Sequence, residues 1–129
     1  MAEKAVVRTD RAPGPLEGAP YNQAIRVGDL VFVAGQLGIA LESGQLAGAS
    51  VAEQTEHIMA NLGAILEAAG SGLDKLVKTT VYLTDLGDFA AMNEVYAKHV
   101  GDRPPARSTV EISALPSGAV VEIEAVAYV

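Results

Sequence analysis

The segment from Ser50 to Gly70 is the feature that most constrains the fold of this chain. Ser50 and Glu53 form an S-x-x-E pattern, in which each side chain satisfies a free backbone amide at the start of a helix. Apolar residues then recur every three or four positions, which predicts one amphipathic helix that ends before Gly70. Its predicted buried face consists of Val51, Thr55, Ile58, Met59, Leu62, Ile65 and Ala69. A helix with one apolar face needs a second layer to pack against.

Strand-like segments surround this helix and supply that second layer. They span residues 4–9, 24–27, 30–35, 75–83, 106–112 and 119–129, and Gly28-Asp29 predicts a hairpin between the second and third. A second helix is predicted from an Asp88 cap to Gly101, with an inner face of Phe89, Met92, Tyr96 and Val100. The order β-β-β-α-β-α-β-β predicts one α+β domain over residues 1–129, a two-layer sandwich with both helices on one face of a mixed sheet.

Two strands indicate that the other face of the sheet is partly apolar. In the last strand Val121, Ile123, Ala125 and Ala127 share the face predicted to meet the helices. Residues 30–33 are apolar on both faces, although two helices cover only one. An identical subunit is one cover for the second face, which predicts a homo-oligomer. The alternative is that long side chains and the N-terminal loop cover it.

Charge and composition exclude several function classes. The 129 residues include 9 basic and 16 acidic side chains, a net charge of −7, so neither nucleic acid nor an anionic membrane is an expected partner. The chain has no cysteine, which excludes disulfides and thiol catalysis. No metal-ligand or nucleotide-binding motif occurs, so we expect no metal and no cofactor. The N-terminus has no apolar leader segment, and a cytoplasmic location is expected.

Arg107 is the first candidate functional residue, because it follows a double proline at the start of a predicted strand. Period-two alternation places Arg107, Thr109 and Glu111 on one face, predicted to be the face without helices, and Ser108, Val110 and Ile112 towards the helices. If the last two strands are neighbours, Arg107 faces Glu122 and Glu124. One interpretation is a cross-strand ion pair. The other is a carboxylate-binding arginine with a spare glutamate for acid–base chemistry.

Four further side chains are candidates for a functional role. Tyr21 lies in an irregular, proline-rich loop and Asn93 lies beside the apolar stripe of the second helix. Each is open to a packing or surface role as well as a functional one. His57 and His99 are predicted to be surface residues rather than metal ligands.

Several blocks of the sequence, in order, resemble the RidA/YjgF family. "APYNQA" is similar to the family's G-P-Y-S-Q-A, and "VFVAGQLG" to its pattern ending in S-G-Q. "VKTTVYLTDLGDFAAMNEVY" and "RPPARSTVEISALPSGAVVEIEAVA" are similar to its two C-terminal blocks. The resemblance covers roughly residues 12 to 128, and the blocks are specific in combination.

The resemblance implies a homotrimer of the chorismate-mutase-like α+β fold, with clefts at the subunit interfaces. It implies a 2-iminobutanoate/2-iminopropanoate deaminase, which hydrolyses enamines and imines such as 2-aminoacrylate and 2-aminocrotonate to 2-oxo acids and ammonia. Pyridoxal-phosphate-dependent dehydratases release these intermediates, so a functional link to such enzymes is implied. The family's reaction needs no cofactor.

The resemblance also implies roles for individual residues. Arg107 matches the arginine that binds the substrate carboxylate, and Glu122 matches the carboxylate that positions or activates water. The remaining implied site residues are the cleft-lining Tyr21 and Asn93, Gly35 and Thr109 through their backbones, and Phe89 as a weaker candidate.

The chain departs from the family pattern at three positions in or near these blocks. Ala34 replaces a frequent Ser, Thr109 replaces a frequent Cys, and Ala19 replaces a Gly. The alternative function is a non-catalytic trimeric module that binds small carboxylates or proteins. An RNA-cleaving translation inhibitor and a chaperone-like holdase are further alternatives, the first disfavoured by the negative charge.

Overall fold

The computed structural model describes residues 3–129 and has the predicted order of elements. The strands are β1 Lys4–Val7, β2 Ala24–Val27, β3 Leu30–Leu37, β4 Leu76–Leu83, β5 Ala106–Glu111 and β6 Val121–Tyr128. The helices are α1 Val51–Ala68 and α2 Phe89–Val100. Both helices lie on one face of one six-stranded sheet, so the predicted α+β two-layer architecture is confirmed.

The sheet is mixed and has the strand order β1-β2-β3-β6-β4-β5. Neighbouring strands are antiparallel except β4 and β5, which are parallel. β4 therefore separates β5 from β6, and the last two strands of the chain are not neighbours. A cross-strand ion pair between Arg107 and Glu122 or Glu124, which requires adjacent strands, is wrong.

Three local signals at the ends of elements are confirmed, one at the β2–β3 turn and two at the ends of α1. Gly28 has a φ of 57° in the tight turn between β2 and β3, a conformation that glycine adopts without steric cost. At the start of α1, the Ser50 side chain accepts a hydrogen bond from the Glu53 amide, and the Glu53 carboxylate accepts one from Ser50. Gly70, with a φ of 85°, follows the end of α1.

The core lies between α1 and the central strands. All seven residues predicted for the buried face of α1 are buried, and they pack against Val31, Val33, Val121, Ile123 and Ala125 of β3 and β6. Two buried polar residues of α1 were not predicted. Gln54 hydrogen-bonds to the backbone of Gly48 and Val120, and Asn61 to that of Leu37 and Ile39, so both side chains fix loops to the helix.

α2 differs from prediction in two details. Asp88 occupies the capping position, but its side chain makes no capping hydrogen bond, because the preceding residues Leu86–Asp88 form a short 3-10 turn. Met92, Tyr96 and Val100 are buried as predicted, whereas Phe89 is 42% exposed. Phe89 is therefore not a core residue, and its aromatic ring is free to face a ligand site.

The predicted faces of β5 are inverted. Arg107 pairs with Thr79 and Thr109 with Val81, and both β4 residues are fully buried under the helices. Arg107 and Thr109 thus lie on the helix-packed face, while Ser108 and Val110 are exposed on the other face. The prediction for β5 was wrong because it assumed that the polar residues face away from the helices. β5 is an edge strand that α2 covers only in part, so its helix side need not be apolar.

The face opposite the helices, called the open face below, is partly apolar as predicted. Leu30, Phe32, Val110 and Tyr128 are each between 41% and 45% exposed. A partner that buries these side chains stays a prediction. No helix within residues 3–129 is long and apolar enough to cross a membrane.

Candidate functional site

Arg107 lies against two aromatic rings of α2. The central guanidinium carbon is 4.9 Å from the ring centre of Tyr96 and 5.4 Å from that of Phe89. Within residues 3–129 the guanidinium makes neither an ion pair nor a hydrogen bond. The rings therefore hold a cation whose five N–H donors are all available to an anion. We call Arg107, Phe89 and Tyr96 the arginine cluster.

Two other predicted site residues lie on the same side of the sheet as this cluster. Asn93 is four residues after Phe89 and three before Tyr96, so all three share one face of α2. The Asn93 Oδ1 atom is buried and has no hydrogen-bond partner within residues 3–129. Thr109 follows Arg107 by two residues on β5 and is half-buried. The predicted residues Arg107, Asn93, Thr109 and Phe89 thus form one group.

Glu122 belongs to a second group on the open face. It lines a cavity of about 360 Å³ whose other lining residues are Leu16, Tyr21, Ala34, Gly35, Tyr82, Pro116 and Glu124. We call this cavity the glutamate cleft. A smaller cavity of about 40 Å³ lies beside it and shares Leu16, Tyr21, Gly35 and Glu122. The predicted residues Tyr21, Gly35 and Glu122 are therefore brought together.

Tyr21 shapes one wall of this cleft. Its hydroxyl oxygen accepts a hydrogen bond of 2.8 Å from the Leu16 amide, and the hydroxyl proton is left to donate elsewhere. The segment that carries Leu16 is anchored from beneath by the buried Gln23, whose amide group bonds to the backbone of Thr9, Ala12 and Pro13. Sequence reasoning missed Gln23, although this Gln, two residues after Tyr21 and directly before β2, is part of the "YNQA" block.

Gly35 provides the space that Glu122 occupies. A Cβ atom at Gly35 would lie 2.7 Å from the Glu122 carboxyl carbon and 3.0 Å from its Cγ atom. Gly35 sits where the β3–β6 register shifts between Val33 and Gln36. The irregular strand and the missing side chain together leave the Glu122 carboxylate in the cleft.

The environment of Glu122 favours its protonated form. Partial burial, and secondly the negative charge of Glu124, raise the pKa of Glu122 above its ordinary value of 4.5. A carboxyl group whose pKa is shifted towards neutrality is suited to exchange protons with a bound water.

The pKa of Tyr96, in the arginine cluster, is also raised. Burial raises the pKa of its phenol above 10.0, so the ring stays neutral beside Arg107.

The raised pKa of Glu122 predicts that the ionised carboxylate lowers the free energy of unfolding. A carboxyl whose pKa is higher in the folded state is protonated more readily there, so stability falls as pH rises from 4.5 through the raised pKa. We expect Glu122→Gln to raise the midpoint of thermal unfolding at pH 7, by a few degrees at most because the group is only half-buried. The gain should vanish below pH 4.5, where both side chains are neutral.

The control for this comparison is Glu42→Gln, which removes a negative charge from an exposed position in the 41–48 loop. Calorimetric scans of the two variants and the wild-type protein at several pH values make the measurement. An unfolding midpoint of Glu122→Gln below that of the wild type at pH 7 would contradict the prediction.

The two groups lie on opposite faces of one chain. Arg107 is level with Thr79 of β4 and Glu122 is level with Tyr82, and β4 stands between the two strands. The Cα atoms of Arg107 and Glu122 are therefore roughly 14 Å apart, because they are separated by two strand spacings across the sheet and three residues along it. The two side chains also point away from each other. One small substrate therefore cannot contact Arg107 and Glu122 of the same chain.

The architecture and the two groups define a class of protein that the sequence resemblance anticipated. The profile of the family described as "Endoribonuclease L-PSP" matches residues 10–129. This chain belongs to that family, the RidA/YjgF family, and the resemblance is confirmed.

Individual relatives are similar to this chain over nearly its whole length. A RutC family protein of Pyrococcus abyssi is 50% identical over 97% of each chain. The human 2-iminobutanoate/2-iminopropanoate deaminase is 42% identical over 96% of this chain and 89% of its own. Among solved structures, Escherichia coli TdcF with bound serine has a TM-score of 0.88 and 37% identity, over 96% of this chain and 98% of that one.

Proposed function

We propose that this protein hydrolyses small 2-imino acids to 2-oxo acids and ammonia, as a 2-iminobutanoate/2-iminopropanoate deaminase. The observation that carries the proposal is the guanidinium of Arg107, which the aromatic rings hold while its donors stay free. A planar fork of free donors is suited to bind a carboxylate through two parallel hydrogen bonds. The human relative named for this activity and the bacterial relative with bound serine, an amino acid, support the same substrate class.

The chemistry requires few groups from the protein. An enamine such as 2-aminoacrylate first tautomerises to the imine. Water then adds to the imine carbon, the C–N bond breaks, and the nitrogen leaves as ammonia, while the oxygen of water becomes the carbonyl oxygen of the 2-oxo acid. Arg107 holds the substrate carboxylate, and Glu122 orients the water and relays its proton towards the departing nitrogen. No step uses a metal or an organic cofactor.

The proposed site combines two copies of the chain. Arg107 and Glu122 of one chain face away from each other, while Arg107 lies on an edge strand that a neighbour can approach. The apolar open face also needs a cover. A neighbouring copy that places its β5 edge against the open face answers both requirements, because its arginine cluster can then meet the glutamate cleft of this chain. A closed trimer with three such clefts, as the family resemblance implies, is the assembly we propose.

The charge of the chain weighs against cleavage of RNA, in spite of the family description. The net charge is −7, and the glutamate cleft contains two carboxylates. Both repel phosphate groups, whereas RNA-binding surfaces carry clusters of Lys and Arg. Imine hydrolysis is therefore the better-supported activity.

A coupled assay tests the proposed function. Threonine dehydratase, a pyridoxal-phosphate enzyme, releases 2-aminocrotonate, which passes through 2-iminobutanoate to 2-oxobutanoate. We expect the protein to accelerate 2-oxobutanoate formation in proportion to its concentration, beyond the spontaneous rate. An unchanged rate with folded protein would remove the proposal and leave a carboxylate-binding module as the next hypothesis.

Gly35→Ala tests whether the position of Glu122 matters. The new methyl group would displace the Glu122 carboxylate, and misplacement of a reacting group by about 1 Å costs about 100-fold in rate. We therefore expect kcat to fall about 100-fold while the fold survives, because Glu122 is half-buried and its side chain can swing outwards. The same assay gives kcat, and circular dichroism checks the fold.

The control is the double variant Gly35→Ala/Glu122→Gln. If Gly35 acts through Glu122, the double variant is no slower than Glu122→Gln alone. Additive losses would show that Gly35 has a role independent of the carboxylate.

A further inference from the structure

Tyr96 and Thr79 form a buried pair behind Arg107. Tyr96 is 5% exposed and Thr79 is fully buried, and their hydroxyl oxygens are 2.6 Å apart in a hydrogen bond. Thr79 is the register partner of Arg107 on the neighbouring strand. The pairing of β4 with β5 therefore positions the Arg107 backbone next to Thr79. Thr79 in turn orients the Tyr96 ring, against which the guanidinium lies.

The guanidinium depends on this support because little else holds it. Arg107 makes no hydrogen bond or ion pair within residues 3–129, and an arginine side chain has about 2 kcal/mol of rotamer entropy to lose when it is ordered. Phe89 and Tyr96 leave the same face of α2 two turns apart, and both rings contact the guanidinium. The rings restrict the cation without occupying any of its donors.

We infer that Tyr96, oriented by Thr79, is a positioning residue that pre-orders the Arg107 guanidinium and thereby sets the affinity of the site for a carboxylate. The inference rests on the proposed function, in which Arg107 binds the substrate carboxylate. Tyr96 touches no reacting atom. Its effect is to reduce the conformational entropy that the Arg107 side chain loses when a carboxylate binds.

Two ring deletions and one ring-preserving variant test the inference. Tyr96→Leu removes the buried ring and Phe89→Leu removes the exposed one, which keeps the test valid if the first variant fails to fold. Tyr96→Phe/Thr79→Val keeps the ring and removes both hydroxyl groups together, so that no buried group loses its partner. Lys98→Ala, on the opposite face of α2, controls for changes to the helix itself.

The first readout is the order of the Arg107 side chain, independent of activity. The ¹⁵N relaxation of the Arg107 Nε–H group, assigned with Arg107→Ala, gives its order parameter. We expect the ring deletions to lower it below about 0.6, the range of flexible groups. Arg26 is an internal reference, because its Nε–H donates to the Gly28 carbonyl at 3.0 Å.

The second readout is affinity for 2-oxobutanoate, the stable product of the proposed reaction, and the split between KM and kcat. We expect the ring deletions to weaken binding and raise KM about tenfold, with a smaller change in kcat. The ring-preserving variant should lower order and affinity less than Tyr96→Leu does, because it keeps the ring and loses only the hydrogen bond that orients it. Unchanged order, or unchanged affinity despite lost order, in folded ring deletions would overturn the inference.

Failure of the proposed function gives a different result. If the wild-type protein neither hydrolyses imines nor binds 2-oxobutanoate, the proposed function is wrong, and the role in carboxylate binding falls with it. The order parameter still decides whether the rings hold Arg107.

Discussion

Arg107→Lys is expected to lower kcat/KM for imine hydrolysis by at least about 100-fold. Lysine keeps the positive charge but loses the planar fork that holds both carboxylate oxygens, and hydrogen bonds to charged groups are each worth about 1.5–3 kcal/mol. Lysine also presents no plane to the rings of Phe89 and Tyr96, which lie about 5 Å from the guanidinium carbon. The change should therefore affect both the binding and the order of the cation.

The measurement is the dehydratase-coupled assay, with the rate of 2-oxobutanoate formation corrected for the spontaneous reaction. Arg103→Lys is the matched control, since it makes the same substitution four residues earlier at an exposed position. The control should retain wild-type kcat/KM. If Arg107→Lys retained activity within about threefold of the wild type, a point charge would suffice, and the bidentate role of Arg107 would be wrong.

The fold was predictable because its strongest signals are local. The Ser50–Glu53 capping box, Gly28 in the hairpin turn and the apolar stripe of α1 each lie within a few residues along the chain, and each is confirmed. The alternation of Val121, Ile123, Ala125 and Ala127 also predicted the correct face of β6. Local patterns fix elements and faces wherever a strand is fully covered by helices.

The strand neighbours were not predictable from the same patterns. β4 enters the sheet between β5 and β6, so chain order misleads about adjacency. β5 is an edge strand, where polar residues are tolerated on the helix side, and period two alone therefore assigned Arg107 to the wrong face. Correcting both the adjacency and the face changes the interpretation of Arg107 from an ion-pair partner of Glu122 to a residue of a separate group.

The sequence resemblance named the correct family, but it could not show that the implied site residues fall into two groups within one chain. Arg107 and Glu122 come from the same C-terminal block of the sequence, so the resemblance does not separate them. Only the register through Thr79 and Tyr82 shows that one group faces the helices and the other faces away from them. Tyr96 was assigned to the core because its helical spacing does not reveal that its ring also contacts Arg107.

Mixed oligomers of two inactive variants are expected to recover activity. Arg107→Ala removes one half of the proposed site and Glu122→Gln removes the other half, so each variant alone should be nearly inactive. In a trimer, each proposed cleft takes Arg107 from one subunit and Glu122 from its neighbour. Random assembly of equal amounts leaves both halves intact in about one cleft in four, so about a quarter of wild-type activity should return.

The two variants are unfolded and refolded together, and native mass spectrometry confirms that mixed trimers form. The control mixes Arg107→Ala with the double variant Arg107→Ala/Glu122→Gln, which also forms mixed trimers but contains no intact cleft. If verified mixed trimers of the two single variants stayed inactive, the composite site would be wrong. Because the two side chains leave opposite faces of the sheet, a site within one chain would then require a rearrangement of β5, and the role of Glu122 would have to be reassigned.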